Sequence, residues 1–361
     1  MIKQCLAYNC DVVINNESKQ SSNQKYCTPK CRKTAHRKKK SKQTRLEQRR
    51  SNLIQNDEIV YLLRQCRRAK TVQILHGHNL SSFLETMDLV RNRPKGDVRL
   101  CHIAPVKGGN SIGLFHYLNL FYGGTYQNRK FGKRYFSGGL SITKDEIVKK
   151  WLVKDGMLNN DILIMIEKYL KDVIPKYLEV APVRKSKKVQ IITKITSLDS
   201  SREFDELMQY SYKRLTADWA KISRTQPPTL NISNESKYIV YMDSLTRFIS
   251  YGGEMVAILK KLRKLMVIAY MALERTWQST TYNKYFYVKY ELLIDHKYGQ
   301  ARLKNSDEWP EFKDLIYNTA FDVLQGKTLD IKKFRKVVMS YLKFPEKVRL
   351  DDGTSYADSF R

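Results

Sequence analysis

Apolar positions along the chain follow two different periods. Between Asn56 and Lys70 they recur at Ile59, Leu62, Leu63 and Cys66, and between Ser81 and Arg91 at Phe83, Met87 and Val90, spacings that predict amphipathic helices. The period then shortens. Val98 to Ile103 alternates enough for a short strand, Gly108-Gly109-Asn110 demands a loop, and Leu118 to Tyr122 is a second strand candidate. Gly123-Gly124 follows, and a helix is predicted to start near Thr125. Ile147 to Val153 and Asn160 to Leu178 read as helices. The basic, β-branched stretch after Pro182 reads as a linker or an edge strand, which places a boundary at residues 181–202. Beyond it the helical period dominates, over Phe204 to Ile222, Lys237 to Ser250, Glu254 to Trp277, Glu311 to Leu324 and Ile331 to Leu342, with residues 225–234 as a break. The clearest of these sets Val256, Leu259, Leu262, Met266, Tyr270, Leu273 and Trp277 on one face.

The pattern describes an α+β, multidomain and mostly helical chain. Residues 1–50 form one module, 51–180 a second domain, 181–202 a linker, and 203–361 an α-helical domain whose role the pattern does not reveal. A length of 361 residues leaves each larger part room for a core. Charge narrows the partners. Sixty-six basic against 36 acidic side chains give +30, so a polyanion is expected, and DNA is the economical choice. A membrane partner is not expected: the longest apolar run, Leu265 to Leu273, is too short to span and follows Lys260, Lys261, Arg263 and Lys264. The first residues, Met1 to Cys5, carry no signal-peptide core, so a reducing cytoplasm is the expected location.

Four of the six cysteines fall in the first 31 residues. Cys5-x4-Cys10 and Cys27-x3-Cys31, separated by 16 residues, are two ligand pairs around a loop, a spacing suited to tetrahedral structural Zn²⁺. Turns are expected inside that loop, at Asn15 to Ser18 and Ser21 to Asn23. Too few apolar residues lie there for a core, so metal binding would supply the folding energy. His36 could replace a thiolate, but it suits a solvent-exposed face better. From Arg32 to Arg50 the sequence holds ten Lys or Arg and one acid, with no proline. A basic helix leaving the knuckle is predicted, with Arg32, Lys33, Arg37, Lys38, Lys39, Lys40 and Lys42 as phosphate contacts.

The second domain carries the candidate chemistry. His102 ends the first strand candidate, Asn119 lies 17 residues on at the second, and Asn128 follows nine later on the expected helix. This order resembles the ββα-metal, or His-Me finger, nucleases, of which HNH endonucleases are the largest group. The resemblance implies His102 as the general base that takes a proton from water, Asn119 as the brace of the loop, and Asn128 as the ligand of a catalytic Mg²⁺ or Mn²⁺ in a one-metal mechanism. Ile103, Pro105, Gly113 and Leu120 fit as well, while Cys101 stands where many HNH proteins carry a second ligand. Arg129 and Lys130, on the same helix, are further DNA-contact candidates.

Taken with the knuckle around Tyr26-Cys27-Thr28-Pro29-Lys30-Cys31-Arg32-Lys33 and the basic helix, residues 5 to about 140 resemble the phage NinG/Rap-type recombination nucleases. That family's later Cys-x-x-Cys pair has no counterpart here. The resemblance implies a DNA endonuclease encoded by a phage or mobile element and working in the host cytoplasm. The alternative is a non-catalytic DNA-binding replication, recombination or regulatory protein that keeps the scaffold only as a fold.

Three further groups stay open at this level. His76 and His78 have a spacing that could hold a metal but suits ordinary loop residues better, and His116 lies inside the loop, where it could meet phosphate. Phe131 to Gly139 mixes aromatics with cations, either to hold a strand or to close the core through Tyr135 and Phe136. Tyr282, Tyr285, Phe286, Tyr287 and Tyr290 read as core, with a base-stacking platform as the other reading.

Overall fold

The structure is a computed structural model that describes residues 3–7, 10–14, 24–39, 42–182, 184–225, 236–277, 286, 289–293 and 300–344. Its described residues are mostly helical, with small two-stranded antiparallel sheets. At the N-terminus β1 (Lys3–Gln4) pairs with β2 (Val13–Ile14), and α1 (Pro29–Lys39) and α2 (Lys42–Ser51) follow. Pro29 opens α1, where its missing N–H costs nothing, and Thr28 Oγ1 accepts from Cys31 N at 3.1 Å. The end of α2 is fastened down: Arg50 pairs with Glu167 at 2.6 Å and Arg49 donates to the Ala181 carbonyl, so these two members of the basic run serve structure.

The next helices are α3 (Asp57–Ala69) and α4 (Leu80–Arg91). Asp57 and Glu58 in the first turn of α3, with Arg67 and Arg68 in its last, complement the helix dipole, and Lys70 ends it in the left-handed conformation at φ 61°. Asn79 and Ser82 form a capping box on α4. Then β3 (Val98–His102), β4 (Ser111–Gly113), β5 (Leu120–Gly124), α5 (Thr125–Phe131) and β6 (Ser141–Thr143) make two antiparallel ribbons, β3 with β5 and β4 with β6. The second strand starts two residues later than its apolar run suggests, because Tyr117–Asn119 is a 3₁₀ turn capped by His116.

Two expected helices differ. Over Ile147 to Val153 only Lys149–Trp151 makes a 3₁₀ turn, since Val153 N donates to the Lys70 carbonyl, Leu152 bridges Thr71, and Val148 N donates to Gln73 Oε1 at 2.7 Å. Asn160 to Leu178 is split into α6 (Asn159–Leu170) and α7 (Val173–Val180) by Lys171 at φ 51°. Pro175 is the reason: it has no N–H for the Lys171 carbonyl, so the helix restarts with the proline in its first turn.

Residues 181–202, read as linker or edge strand, contain instead α8 (Lys187–Leu198), capped by Ser186. Its β-branched residues mimic strand composition, but Val189, Ile192 and Ile195 recur at helical spacing and are buried. Ile192 and Ile195, with Ile191, pack with α9 (Phe204–Leu207) and α10 (Tyr212–Ser223) through Leu207 and Leu215. The expected helix over Phe204 to Ile222 is these two pieces. In the last part, α11 (Lys237–Tyr251), α12 (Val256–Trp277) and the helices Trp309–Leu324 and Ile331–Tyr341 follow the sequence pattern closely, joined by a Arg302–Leu303/Leu342–Lys343 strand pair.

The β3/β5 ribbon lies between two cores. Leu100 and Leu120 join the cluster built by residues 53–181, whereas Cys101, Ile103, Phe121 and Phe131 join the cluster of the C-terminal helices. This placement accounts for the apolar run of β5 and for the adjacent buried pair Leu100 and Cys101 in β3, whose outer end stays open at the exposed Arg99. The outer edge of β5 is covered by α11. Ser244 Oγ exchanges bonds with Tyr122 N and O at 3.3 and 3.1 Å, Tyr241 Oη accepts from Gly124 N at 2.8 Å, and Arg247 donates to the Tyr117 and Leu120 carbonyls. Among the described residues, no helix is long and apolar enough to cross a membrane.

Candidate functional site

The loop between β3 and β5 is built around Asn119, which is fully buried. Its Oδ1 accepts from Ala104 N at 2.8 Å and Leu140 N at 3.2 Å, while its Nδ2 donates to the carbonyls of Leu114 at 2.8 Å and Ala104 at 3.2 Å. One amide thereby ties together the departure from β3, the return from β4 and the strand leading to β6. Two glycines make this approach feasible. A Cβ on Gly113 would lie 1.7 Å from the Ala104 carbonyl oxygen, and one on Gly139, at φ +71°, would lie 2.3 Å from Asn119 Oδ1.

His102 ends β3, directly opposite Leu120 in the register. Its ring packs 6.0 Å from Phe115. The residue is half-buried, and its Nε2 is enclosed and has no hydrogen-bond partner. Burial, and next the Arg68 guanidinium, push its pKa down to about 3, so the ring is neutral across the physiological range. Cys101 points the other way, into the C-terminal core; burial pushes its thiol up to about 12, and it offers no thiolate to a cation.

Asn128 is half-buried on α5, one turn before Phe131, which packs on the Cys101 side of the ribbon with Phe321. The structure thus joins Asn119 intimately to the residues that follow His102, and sets Asn128 on the helix that leaves the same ribbon. Arg129 and Lys130 beside it are exposed. Tyr135 and Phe136 are both exposed by more than a third, with Phe136 leaning on Phe131 at 5.2 Å, so neither closes the core.

Among the described residues, His76, His78 and His116 are structural. His116, only 7% exposed, accepts from Leu118 N through Nδ1 and stacks on His78 at 4.7 Å, so it caps a turn and is not placed to meet phosphate. His78 bonds Ser82 and the Phe115 carbonyl while His76 bonds Tyr169, which separates the two as ligands. Of the aromatic cluster, Phe286 and Tyr290 are buried core, and Tyr282, Tyr285 and Tyr287 lie outside the described residues.

The cysteine quartet does converge. The ligand atoms of Cys5, Cys10, Cys27 and Cys31 all lie within 4.8 Å of one another, close enough to bind a metal such as zinc. The Sγ separations of 3.5 Å for Cys10 to Cys27, 3.4 Å for Cys27 to Cys31 and 3.7 Å for Cys10 to Cys31 approach the ~3.8 Å edge of a tetrahedron with Zn–S bonds of about 2.3 Å. Cys27 N donates to Cys5 Sγ at 3.3 Å, and this main-chain bond is the first cause that holds the Cys5 thiol down to about 7. Crowding by Cys31, then burial, pushes Cys27 up to about 12, a conflict that a dication among the four sulfurs would relieve. Among the described residues no other group of His, Cys, Asp or Glu gathers in this way.

The basic run leaves this centre through α1, with Arg32 and Lys33 exposed. The turns at 15–18 and 21–23, Lys40, and the side chains of His36, Arg37, Lys38, Lys39 and Lys42 lie outside the described residues. Sequence reasoning missed Arg68, the cation acting on His102, and the α11 residues Tyr241, Ser244 and Arg247 that cover β5. Helical spacing within α3 could have pointed to Arg68; nothing local distinguishes the other three. Comparison with known protein families, characterised proteins and solved structures finds no match for the chain.

Proposed function

We propose that the protein is a DNA endonuclease of the His-Me finger type, with His102 as the general base, DNA as the partner, and the metal-binding cysteine module and basic α1 as a separate DNA contact. The observation that carries the reading is the Asn119 amide, which braces the loop after His102 through four hydrogen bonds within a strand, loop, strand and helix order. A base must be neutral and aimed. His102 is neutral, and with Nε2 enclosed, Nδ1 would be the nitrogen that takes the proton from water. Its low pKa makes it a weak base in the free protein. A phosphate drawn to Arg68 would cancel the smaller, electrostatic part of that depression and raise the basicity to that extent, while burial, the larger cause, would remain.

For the divalent ion the donor chemistry fits in a limited way. The Asn128 amide oxygen is a hard donor suited to Mg²⁺ or Mn²⁺, ions that take much of their shell from water and phosphate oxygens, while Cys101 is excluded as a buried thiol. When bound, such an ion would stabilise charge on the scissile phosphate. Purified protein supplied with Mg²⁺ or Mn²⁺ should cut at least one of supercoiled, linear, single-stranded and branched DNA, leaving 3′-hydroxyl and 5′-phosphate ends. His102→Ala should abolish cutting and leave DNA affinity within about twofold, since a neutral side chain adds no phosphate contact. Failure to cut any of the four substrates sinks the reading.

A second reading, a non-catalytic DNA-binding protein, has its own support in the enclosed, unpaired Nε2 and the inward-facing Cys101. Under it His102→Ala changes nothing in binding, and affinity still falls steeply with salt.

A further inference from the structure

A cleft of about 590 Å³ opens where α3 meets the start of α8 and the 208–212 segment. Its frame is main-chain bonding: Asp57 N donates to the Arg184 carbonyl at 3.0 Å and Ser186 N to the Gln55 carbonyl at 2.8 Å, so the α8 to α10 unit is docked on the first turn of α3. The walls hold Arg64, Arg67, Arg93, Lys187 and Lys188 against one carboxylate, Asp57, which is already paired with Arg93 at 3.2 Å. Outside the cleft Asp205 acts on Arg67 from a distance. Arg67 donates to Asn159 Oδ1 at 2.8 Å and Lys188 to the Met208 carbonyl at 2.5 Å, neutral partners that leave both charges uncompensated. Burial and the neighbouring Arg64 charge hold the Lys188 ammonium below its ordinary range, and burial does the same to Arg67. A fold keeps such a concentration of like charge most cheaply when an anion enters it.

The remaining wall is aromatic. Tyr61 carries the guanidinium groups of Arg64 and Arg93 against its ring at 4.7 and 4.3 Å, Tyr210 lies under the Arg214 guanidinium at 3.5 Å with its hydroxyl donating to Glu206, and Tyr212 lines the same space. Guanidinium planes and tyrosine rings are the surfaces on which unstacked bases lie. The volume falls in the roughly 300–1,000 Å³ range of pockets that enclose one small molecule. Arg68, which acts on His102, follows Arg67 on α3 but does not line the cleft.

We propose that the cleft between α3 and the first turn of α8 binds the phosphate of a nucleotide, carried either by a free mononucleotide or by the end of a DNA strand. The site stands whether or not His102 cuts DNA, because binding needs neither the ribbon loop nor a catalytic ion.

The test is titration calorimetry on the full-length protein with thymidine 5′-monophosphate, thymidine, inorganic phosphate, and a short single strand with and without a 5′-phosphate. The monophosphate should bind at least about tenfold tighter than thymidine or phosphate alone, the margin expected of charge-assisted hydrogen bonds added to stacking. Arg64→Gln combined with Lys187→Gln, both exposed positions, should lose about tenfold or more with an unchanged circular dichroism spectrum. A gain of similar size from the 5′-phosphate on the strand assigns the site to strand ends; no gain, with the monophosphate bound, assigns it to free nucleotide. Absence of monophosphate binding, equal binding of inorganic phosphate, or full affinity in the double variant overturns the proposal. Loss of DNA cutting in any metal, with nucleotide still bound, would remove the nuclease reading alone.

Discussion

The cysteine module and the β3/β5 ribbon both present a small polar centre on very short strands, and they are held together by opposite means. Among the described residues of the module the buried apolar cluster is Cys5, Ala7 and Ile14, packed against Tyr26 and the other three cysteines, with Ala35 buried on α1. The ribbon has an apolar core on each face, and its centre is a single amide inside that packing. The first arrangement depends on a ligand; the second depends on the rest of the chain. The difference teaches where each site is vulnerable: chelation should dismantle one, and substitution of one uncharged side chain the other.

The largest expected effect separates the two outright. Removing metal with a chelator, or making Cys27→Ser with Cys31→Ser, should unfold residues 3–39 and lower DNA affinity by more than loss of any one lysine would, since the α1 charges would lose their fixed spacing. The main thermal transition should persist, and so should weak cutting once Mg²⁺ or Mn²⁺ is restored after the chelator is removed. Limited proteolysis with calorimetry reads this directly, and collapse of both transitions together would show that the module and the ribbon are one cooperative unit.

Asn119→Ala is the counterpart on the other side of the comparison. It leaves main-chain groups of Ala104, Leu114 and Leu140 buried without their partner, which should cost on the order of 3–5 kcal/mol in denaturant unfolding. The module's metal stoichiometry should be untouched. A loss under ~1 kcal/mol would mean the loop is held by its packing and not by the amide.

Acid should act on the ribbon side too. His78 and His116 are pushed down to about 4 and His102 to about 3, in each case chiefly by burial, so the folded protein keeps these rings neutral. The unfolded chain protonates them below about pH 6.5. Stability from this source is therefore complete above that pH and falls as pH drops toward 4, with proton uptake on unfolding approaching three near pH 5. Denaturant midpoints across pH 7 to 4.5 measure it, and a flat profile would contradict the enclosure of these rings.

The smallest effect tests how far α11 belongs to the site. Ser244→Ala removes one hydroxyl bonded to both Tyr122 N and O and should cost about 1 kcal/mol, with faster hydrogen exchange at Tyr122 than at Leu100. Equal exchange at the two positions would show that α11 does not guard the edge.

What the sequence determined by itself is everything carried by local spacing. The cysteine pairs announced a metal-sized cluster because ligands a few residues apart are already near one another. The helical period of Leu259, Leu262, Met266 and Tyr270 marked the buried face of α12, and the glycines and asparagines around residues 108–119 marked a loop between strands. Tertiary structure decided the rest. Bonds from Lys70, Thr71 and Gln73 pulled Ile147 to Val153 out of a helix, and burial against Leu207 and Leu215 made a helix of the β-branched stretch after Ser186. Chain neighbours do not reveal that Arg247 reaches Leu120, or that the Arg68 charge adds to the effect of burial on His102. Those contacts join residues far apart in sequence, and the energy of burial and of charge depends on what the whole fold brings within a few ångströms.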